Sequence, residues 1–202
     1  MVKNYVVNYM KVLTLITSPR KHGYTKQIVD RLTIGIKDND GTNEVLFMDD
    51  FNIQHCTACR ACEKGGGCVL DDDYNLIMDK IREADYFIFT APIYYNDIAG
   101  YSKMFLDRLG SCNYDPELTI PETKALLMIT HMSTNINPFV IENTHRCLAT
   151  GNFKVNKILD IGNLMVDGKL EEFELEDYED IGYELDEYDV IPYKLDLDSA
   201  TL

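Results

Sequence analysis

The sequence predicts a single α/β domain built on a doubly wound parallel sheet. Short β-branched runs alternate along the chain with amphipathic stretches, which is typical of a parallel sheet covered by helices on both faces. The chain has 202 residues, of which 46% are hydrophobic, and it shows no internal repeat and no Pro/Ser-rich linker that would divide it. Five successive β-α units favour a five-stranded sheet with the strand order 2-1-3-4-5.

The individual elements follow from the spacing of apolar residues. The first predicted strand, 12–16, leads through a polar loop into a helix over 25–34, whose apolar face carries Ile28, Val29 and Leu32. Further β-branched or aromatic runs predict strands at 44–47, 86–90, 125–130 and 155–161. Helical spacing predicts helices at 72–84, 102–109 and 138–149, with a fifth in the acidic C-terminal segment. In such sheets the ligand crevice lies outside the carboxyl ends of the strands. The loops 18–25, 92–101 and 130–137 are therefore expected to meet there.

The first of these loops, SPRKHGYT at 18–25, has the chemistry of a phosphate site. The hydroxyls of Ser18 and Thr25, the guanidinium of Arg20 and the amides of the following helix can all donate to a phosphate, and Gly23 permits close approach. The loop matches neither the triphosphate motif nor the dinucleotide motif, which favours a mononucleotide. The alternative is an ordinary strand-to-helix turn with Thr25 as the N-cap.

The second loop carries two adjacent aromatic residues at a strand end, in the run PIYYND at 92–97. Tyr94 or Tyr95 is positioned to stack on a flat ring system, with backbone amides near Ile93 and Asn96 bonding its polar edge. The alternative is that both tyrosines cover the sheet edge or a subunit contact.

Four of the six cysteines fall close together in the loop 56–68. They follow a C-x2-C-x2-C-x5-C pattern formed by Cys56, Cys59, Cys62 and Cys68. This spacing resembles the compact runs that hold a four-iron cluster, whereas structural zinc sites usually combine two separated C-x2-4-C pairs. The alternatives are a zinc site and a loop of reduced thiols without a metal.

Charge narrows the class of partner. The net charge is −15, and 14 of the 34 acidic residues lie in 167–202. This balance argues against nucleic acid or an anionic membrane surface and favours a small ligand or a protein. Neither a signal-type apolar run nor a stretch long enough to span a membrane is found, so a cytoplasmic location is expected. We divide the chain into an N-terminal extension at 1–10, one domain at 11–165 and an acidic tail at 166–202, expected to be a solvated helix face or a loosely docked end.

With these segments placed, the chain resembles the NADPH-dependent FMN reductase-like branch of the flavodoxin superfamily, and especially the iron-sulfur flavoproteins. The resemblance covers roughly residues 11–165, on the scale of a single domain. It depends on the phosphate-type loop, on the cysteine run leading into Asp71 and Asp72, and on the PIY segment followed by Lys103, Asp107 and Arg108. It implies a flavodoxin-like three-layer fold.

The resemblance also implies the cofactors and the residues that bind them. Ser18, Arg20, Tyr24 and Thr25 would bind the FMN phosphate. The residues implied for the rest of the flavin are Pro92, Ile93, Tyr94, Tyr95, Asn96 and Thr130. The four cysteines of the loop would hold a 4Fe-4S cluster, as in the iron-sulfur members. A homodimer or homotetramer is implied as well.

The expected function is electron transfer through a bound flavin. The flavin performs the chemistry itself, so no catalytic side chain is named, and electrons are expected to come from NAD(P)H as co-substrate or from a reduced carrier. Small-molecule or protein redox partners are expected. The alternatives are a non-enzymatic flavodoxin-like carrier or flavin-binding module without a cluster, and a zinc-stapled interaction protein.

Overall fold

The computed structural model describes residues 9–164, 170 and 172–192. Within these residues the strands are β1 (Lys11–Ile16), β2 (Thr42–Phe47), β3 (Tyr86–Tyr94), β4 (Asp97–Ile98), β5 (Thr123–Thr130) and β6 (Phe153–Ile161). The helices are α1 (Tyr24–Asp38), α2 (Tyr74–Arg82), α3 (Gly100–Leu106), α4 (Pro138–Thr150) and α5 (Glu172–Tyr183). Short 3-10 turns at 48–50, 61–64 and 109–114 complete the connections.

Five strands form a parallel sheet in the order β2-β1-β3-β5-β6. This confirms the predicted order, because β6 takes the fifth place and the two-residue β4 lies off the main path. The segment 92–94, expected to begin a loop, instead continues β3. It does so because β4 folds back antiparallel to it, with Ile93 opposite Ile98 and Tyr94 opposite Asp97.

The two faces of the sheet carry separate apolar cores, as alternating side chains in a strand require. On one face Phe87 and Phe89 of β3 pack in the core that also contains residues of α2, α3 and α4. On the other face Tyr86 and Ile88 pack in the core that contains α1. Helices on both faces give the three-layer arrangement that the sequence predicted.

The acidic C-terminal segment contains the predicted helix with exposed acidic residues, but this helix packs closely on α1 instead of docking loosely. α1 and α5 meet at two glycines: a Cβ placed on Gly35 would lie 1.9 Å from the carbonyl oxygen of Glu179, and one on Gly182 would lie 2.2 Å from that of Leu32. Arg31 and Glu179 form an ion pair across the contact, at 2.6 Å. Six of the 14 acidic residues of 167–202 therefore lie on a helix whose backbone packs against α1.

Beyond α5, the chain runs along the outer strand β6. Leu185 is fully buried, and the side-chain amide of Asn156 donates to its carbonyl oxygen at 2.8 Å. The backbone amide of Ile191 donates to the carbonyl oxygen of Val155, also at 2.8 Å. These bonds partly cover the open edge of the sheet, a surface that would otherwise pair with other strands.

Parts of the predicted terminal segments lie outside the described residues, namely 1–8, 165–169, 171 and 193–202. Met10, the last residue of the predicted extension, accepts a hydrogen bond from the amide of Thr42 at 2.9 Å. Across the described residues, none of the helices combines the length and the apolar character needed to span a lipid bilayer.

Candidate functional site

The loop after β1 is anchored at its start by buried hydroxyl groups. The Thr17 hydroxyl donates to the carbonyl oxygen of Thr90 at 2.6 Å and lies 2.5 Å from the hydroxyl oxygen of Ser102. These contacts join the carboxyl ends of β1 and β3 to the start of α3. They fix the direction in which the 18–23 loop leaves the sheet.

The N-terminus of α1 then faces the carboxyl edge of the sheet and is suited to an anion. Its N-cap is Gly23, which is extended and contributes no side-chain cap, and the first turn contains no acidic residue. Ser18 and Thr25 are buried, and the Thr25 hydroxyl lies 3.1 Å from that of Thr130 at the end of β5. Uncapped helix amides and hydroxyl donors together favour negative charge. The residues present therefore fit a phosphate group.

Eight of the predicted flavin residues meet in one cleft at this edge. They come from the three predicted loops and are Ser18, Arg20, Tyr24, Thr25, Pro92, Ile93, Tyr94 and Thr130. The enclosed part of the cleft measures about 60 Å³. This is far below the roughly 300 to 1,000 Å³ of pockets that bury a whole ligand. A space of this size has room for a phosphate group but not for a whole flavin.

Tyr95 and Asn96, the other two predicted residues, do not line this cleft. They form the tip of the β3–β4 hairpin, both with positive φ (51° and 68°). A two-residue hairpin of this type requires φ > 0 at both central positions, which is costly for a bulky residue such as tyrosine. Tyr95 is 99% exposed, whereas Tyr94 is 43% exposed and lines the cleft.

The cleft also contains Gly23 of the predicted phosphate loop and three residues to which the sequence assigned no role, namely His131, Met132 and Leu164. His131 is buried, and its Nε2 lies 2.8 Å from Asp160 Oδ1. The ring fits because Gly162 has no side chain: a Cβ there would lie 2.4 Å from the His131 Cε1. His131 lies in the third predicted loop, and its place there could have identified it as a cleft residue. No sequence pattern identified Leu164.

All four cysteines of the predicted metal site line a second cavity. This cavity measures about 190 Å³ and is also lined by Arg60, Arg108, Ser111 and Tyr114. Its loop leaves the same edge of the sheet, because β2 ends at Phe47 beside Ile16 of β1. The predicted gathering of the four thiols around one space is therefore present.

The backbone of this loop turns repeatedly through left-handed conformations. Ala58 and Arg60 have φ of 54° and 58°, and the three glycines at 65–67 have φ between 75° and 86°. Glycine adopts such conformations without steric cost. The amide of Gly66 donates to Asp115 Oδ2 at 2.8 Å, which holds the glycine turn against the 109–114 segment.

Four thiols that line one cavity are a donor set found in both zinc and iron-sulfur sites. Among the described residues, no group of three or more His, Cys, Asp or Glu side chains is arranged to hold a single metal ion. A zinc ion needs ligands that meet at one atom, whereas each thiolate of a four-iron cluster binds a different iron at a different corner. Four thiols on one cavity are the donor type that a cluster requires.

Two of the four thiols accept hydrogen bonds in the cavity. Hydrogen bonds from the backbone amide of Ala61 and from Thr57 lower the pKa of the exposed Cys59 thiol. Arg108 Nη2 donates to Cys68 Sγ at 3.2 Å. Burial acts to lower the pKa of Arg108, but its bonds with Asp72 and Cys68 outweigh that effect, so its pKa lies above the usual value. A permanent positive charge thus lies against one of the four sulfurs.

Asp72 holds Arg108 in place. The two side chains form a two-point ion pair, with distances of 2.5 Å and 2.9 Å, and both are almost completely buried. Burial acts to raise the pKa of Asp72, but the bonds from Arg108 and from the amides of Gln54 and Tyr74 outweigh it, so the pKa lies below the usual range. Arg108 also donates to the carbonyl oxygen of Gln54 at 3.0 Å and lies over the Tyr74 ring.

A parallel sheet whose carboxyl edge holds an uncapped helix N-terminus and three converging loops defines a flavodoxin-like α/β protein. A sequence model of the family described as NADPH-dependent FMN reductase matches residues 10–135, more than half of the chain, and the chain belongs to this family.

Known relatives and solved structures agree with this assignment. An iron-sulfur flavoprotein of Archaeoglobus fulgidus is 28% identical over 109 residues, which are 54% of this chain and 50% of that protein. The iron-sulfur flavoprotein MJ1083 of Methanocaldococcus jannaschii is 31% identical over 99 residues, or 49% and 51% of the two chains. The chain thus spans about half the length of the curated relatives it matches. An NAD(P)H:quinone oxidoreductase from Methanothermobacter marburgensis shares the fold, with a TM-score of 0.69 and 16% identity over 92% of this chain and 100% of that one.

Proposed function

We propose that this protein binds FMN at the α1 N-terminus and acts as an oxidoreductase that receives electrons from NAD(P)H or a reduced carrier. The observation that carries the proposal is the meeting of eight predicted residues, from three separate loops, in one cleft. The bound flavin would supply hydride and single-electron chemistry. The protein's part is to bind, orient and shield it.

Different side chains of the cleft would bind the phosphate and the ring system of FMN. The buried hydroxyls of Ser18 and Thr25 and the α1 amides would hold the phosphate. Arg20, which is exposed at the mouth of the cleft, would neutralise its charge from the solvent side. Pro92 and Ile93 on β3, with Tyr94, would form the apolar support on which the ring system lies.

Cofactor identity and reduction test this proposal directly. Purified protein saturated with flavin is expected to retain FMN and not FAD, because the enclosed cleft has room for one phosphate group and the chain has no dinucleotide motif. Anaerobic mixing with NADH or NADPH is expected to bleach the bound flavin. If FMN binds but neither nucleotide reduces it, NAD(P)H is not the donor, and a reduced carrier is left as the source of electrons. If neither FMN nor FAD binds, the proposal fails.

We further propose that Cys56, Cys59, Cys62 and Cys68 hold a 4Fe-4S cluster. Support comes from the four thiols around one cavity, the left-handed turns that bring them there and the positive charge of Arg108 against one sulfur. Such a centre would exchange single electrons with the flavin.

The cluster proposal is tested by iron and sulfide analysis after anaerobic reconstitution. Wild type is expected to take up about four irons per chain, whereas Cys59→Ala is expected to lose them and keep FMN. Cys147→Ala is the matched control, since Cys147 lies on α4 outside the cavity. Wild type that binds FMN but no iron would leave a plain flavin reductase. Equal iron in wild type and Cys59→Ala would show that other ligands hold the metal.

A homo-oligomer is proposed from the exposed apolar side chains at the mouth of the cleft. Tyr94, Tyr95 and Met132 are 43%, 99% and 57% exposed, and a second copy of the chain would cover both them and the open part of the flavin groove. Tyr95→Asn is the informative variant, because asparagine tolerates positive φ better than tyrosine and leaves the hairpin turn intact. Sedimentation is expected to show weaker self-association of this variant. A monomeric wild type would contradict the proposal.

A further inference from the structure

We propose that Arg108 is a positioning residue for the metal centre: its guanidinium donates a hydrogen bond to the Cys68 sulfur and thereby favours the reduced state of the cluster. The proposal deepens the function proposed above and depends on a cluster being bound by the four cysteines. It gives a role to Arg108, which the sequence singled out and which does not line the flavin cleft.

The geometry that carries it is a fixed donor aimed at one ligand. Arg108 is 2% exposed and lies 3.2 Å through Nη2 from Cys68 Sγ, while Nη1 is held by the Gln54 carbonyl oxygen and the Asp72 carboxylate. Asp72 accepts from both guanidinium nitrogens, so the plane of the group is locked. The Tyr74 ring lies 4.1 Å from the guanidinium carbon and supports it from one face.

Because these contacts fix the guanidinium, the hydrogen bond to Cys68 is set by the folded protein. A surface arginine would choose among many rotamers and would be screened by water. The Arg108 guanidinium instead contacts four partners within the protein, namely Gln54, Asp72, Tyr74 and Cys68, so its donor faces the sulfur without reorganisation. Arg60 is the useful contrast, because it lines the same cavity but pairs with Glu63 and its side chain is 76% exposed.

The direction of the effect follows from charge. Reduction adds one electron to the cluster and places more negative charge on its sulfur ligands, so a positive donor at Cys68 stabilises the reduced state more than the oxidised state. Hydrogen bonds to the sulfurs are among the factors that set the potentials of such centres. Loss of the Arg108 donor is therefore expected to make the potential more negative.

The first test is a reductive titration with dithionite, which supplies the single electron, followed by electron paramagnetic resonance on the reconstituted holoprotein. Arg108→Lys retains a positive charge but cannot donate to Asp72 and Cys68 in the same forked geometry. This variant and Arg108→Gln are expected to shift the reduction equilibrium about tenfold or more towards the oxidised cluster, equivalent to about 59 mV for one electron. The control Arg60→Gln is expected to shift it less. Potentials equal to wild type in both Arg108 variants would overturn the proposal.

The second test needs no substitution at Arg108 and remains decisive if those variants fail to fold. Wild type grown with 15N-guanidinium arginine and then reduced should show a weakly coupled 15N nucleus in pulsed electron paramagnetic resonance, and Arg60→Gln should retain it. Absence of that coupling in an iron-loaded protein would overturn the role of Arg108 alone. Wild type that contains FMN but no iron would overturn the cluster and this inference together.

Discussion

Replacing Thr25 by valine tests the phosphate site most directly, because it removes a buried hydroxyl and keeps the shape of the side chain. Thr25 is 4% exposed, in the first turn of α1, and its hydroxyl lies 3.1 Å from that of Thr130. Loss of a hydrogen bond to a charged phosphate costs about 1.5 to 3 kcal/mol. Thr25→Val is therefore expected to raise the Kd for FMN about 12- to 150-fold.

The same substitution has a smaller, separate effect on the free protein. Thr130 loses its hydroxyl partner, and a neutral hydrogen bond of this kind contributes about 0.5 to 1.5 kcal/mol to the free energy of unfolding. Fluorescence titration with FMN measures the first effect, and urea unfolding of the flavin-free protein measures the second. The two effects can therefore be separated in one variant.

Thr33→Val is the matched control on the same helix. Its hydroxyl donates to the carbonyl oxygen of Val29 and accepts from Asn43, away from the cleft. This control is expected to lower the free energy of unfolding and to leave the Kd for FMN unchanged. If Thr25→Val lost stability but bound FMN within twofold of wild type, the phosphate would not lie at the α1 N-terminus.

Three further substitutions probe the cleft, the cysteine cavity and the C-terminal helix. Arg20→Ala is expected to weaken FMN binding about tenfold or more, through loss of a charge-assisted bond, and unchanged affinity in a titration would remove Arg20 from the site. Asp72→Asn leaves Arg108 buried without its counter-charge and is expected to lower the free energy of unfolding by about 3 kcal/mol at pH 7. Because the pKa of Asp72 is lowered in the folded protein, this difference from wild type should shrink as the pH falls below about 3.9. A difference that did not change with pH would contradict the pairing. Gly35→Ala would place a Cβ 1.9 Å from the Glu179 carbonyl oxygen and is expected to release α5 from α1. The release would be measured as faster amide hydrogen exchange over residues 172–192, and unchanged exchange would contradict the close contact.

Controls for these variants lie on the same elements. Lys26→Ala is the control for Arg20→Ala, because it also removes a positive charge. Lys26 lies on α1, pairs with Asp30 and does not line the cleft. Asp79→Asn breaks an ion pair with Arg82 on the surface of α2 and is expected to cost less than about 1 kcal/mol. Ile34→Ala alters an exposed residue next to Gly35 and is expected to leave α5 in place.

The sequence alone predicted the order of the main sheet and the three loops that line the cleft at its carboxyl edge. Parallel strands place their carboxyl ends on one edge, so polar loops after 12–16, 86–90 and 125–130 had to meet there. Ser18, Thr25 and Thr130 could be assigned because they belong to those loops. The cysteine spacing likewise placed four thiols in one short segment, and a segment of that length cannot separate them far.

The tertiary structure decided which side chains enter each site. Tyr94 and Tyr95 are adjacent and chemically equal in the sequence, but the β3–β4 hairpin turns Tyr94 to the cleft and Tyr95 to solvent, because the positions of β-strand side chains alternate and the turn needs positive φ. His131 and Leu164 entered the cleft through pairing of the chain beyond β5 and β6, which no local pattern marks.

Long-range contacts account for the rest. Arg108 follows Cys68 by 40 residues, and only the packing of the 109–114 segment against the cysteine loop brings its guanidinium to that sulfur. The sequence of the acidic segment predicted a charged helix, but the packing of α5 on α1 depends on Gly35 and Gly182, two residues without side chains. Local spacing of residues therefore determined the helices, the strands and the edge of the sheet at which the loops meet. Contacts between distant segments determined which side chains touch, and such contacts leave no periodic signal in the sequence.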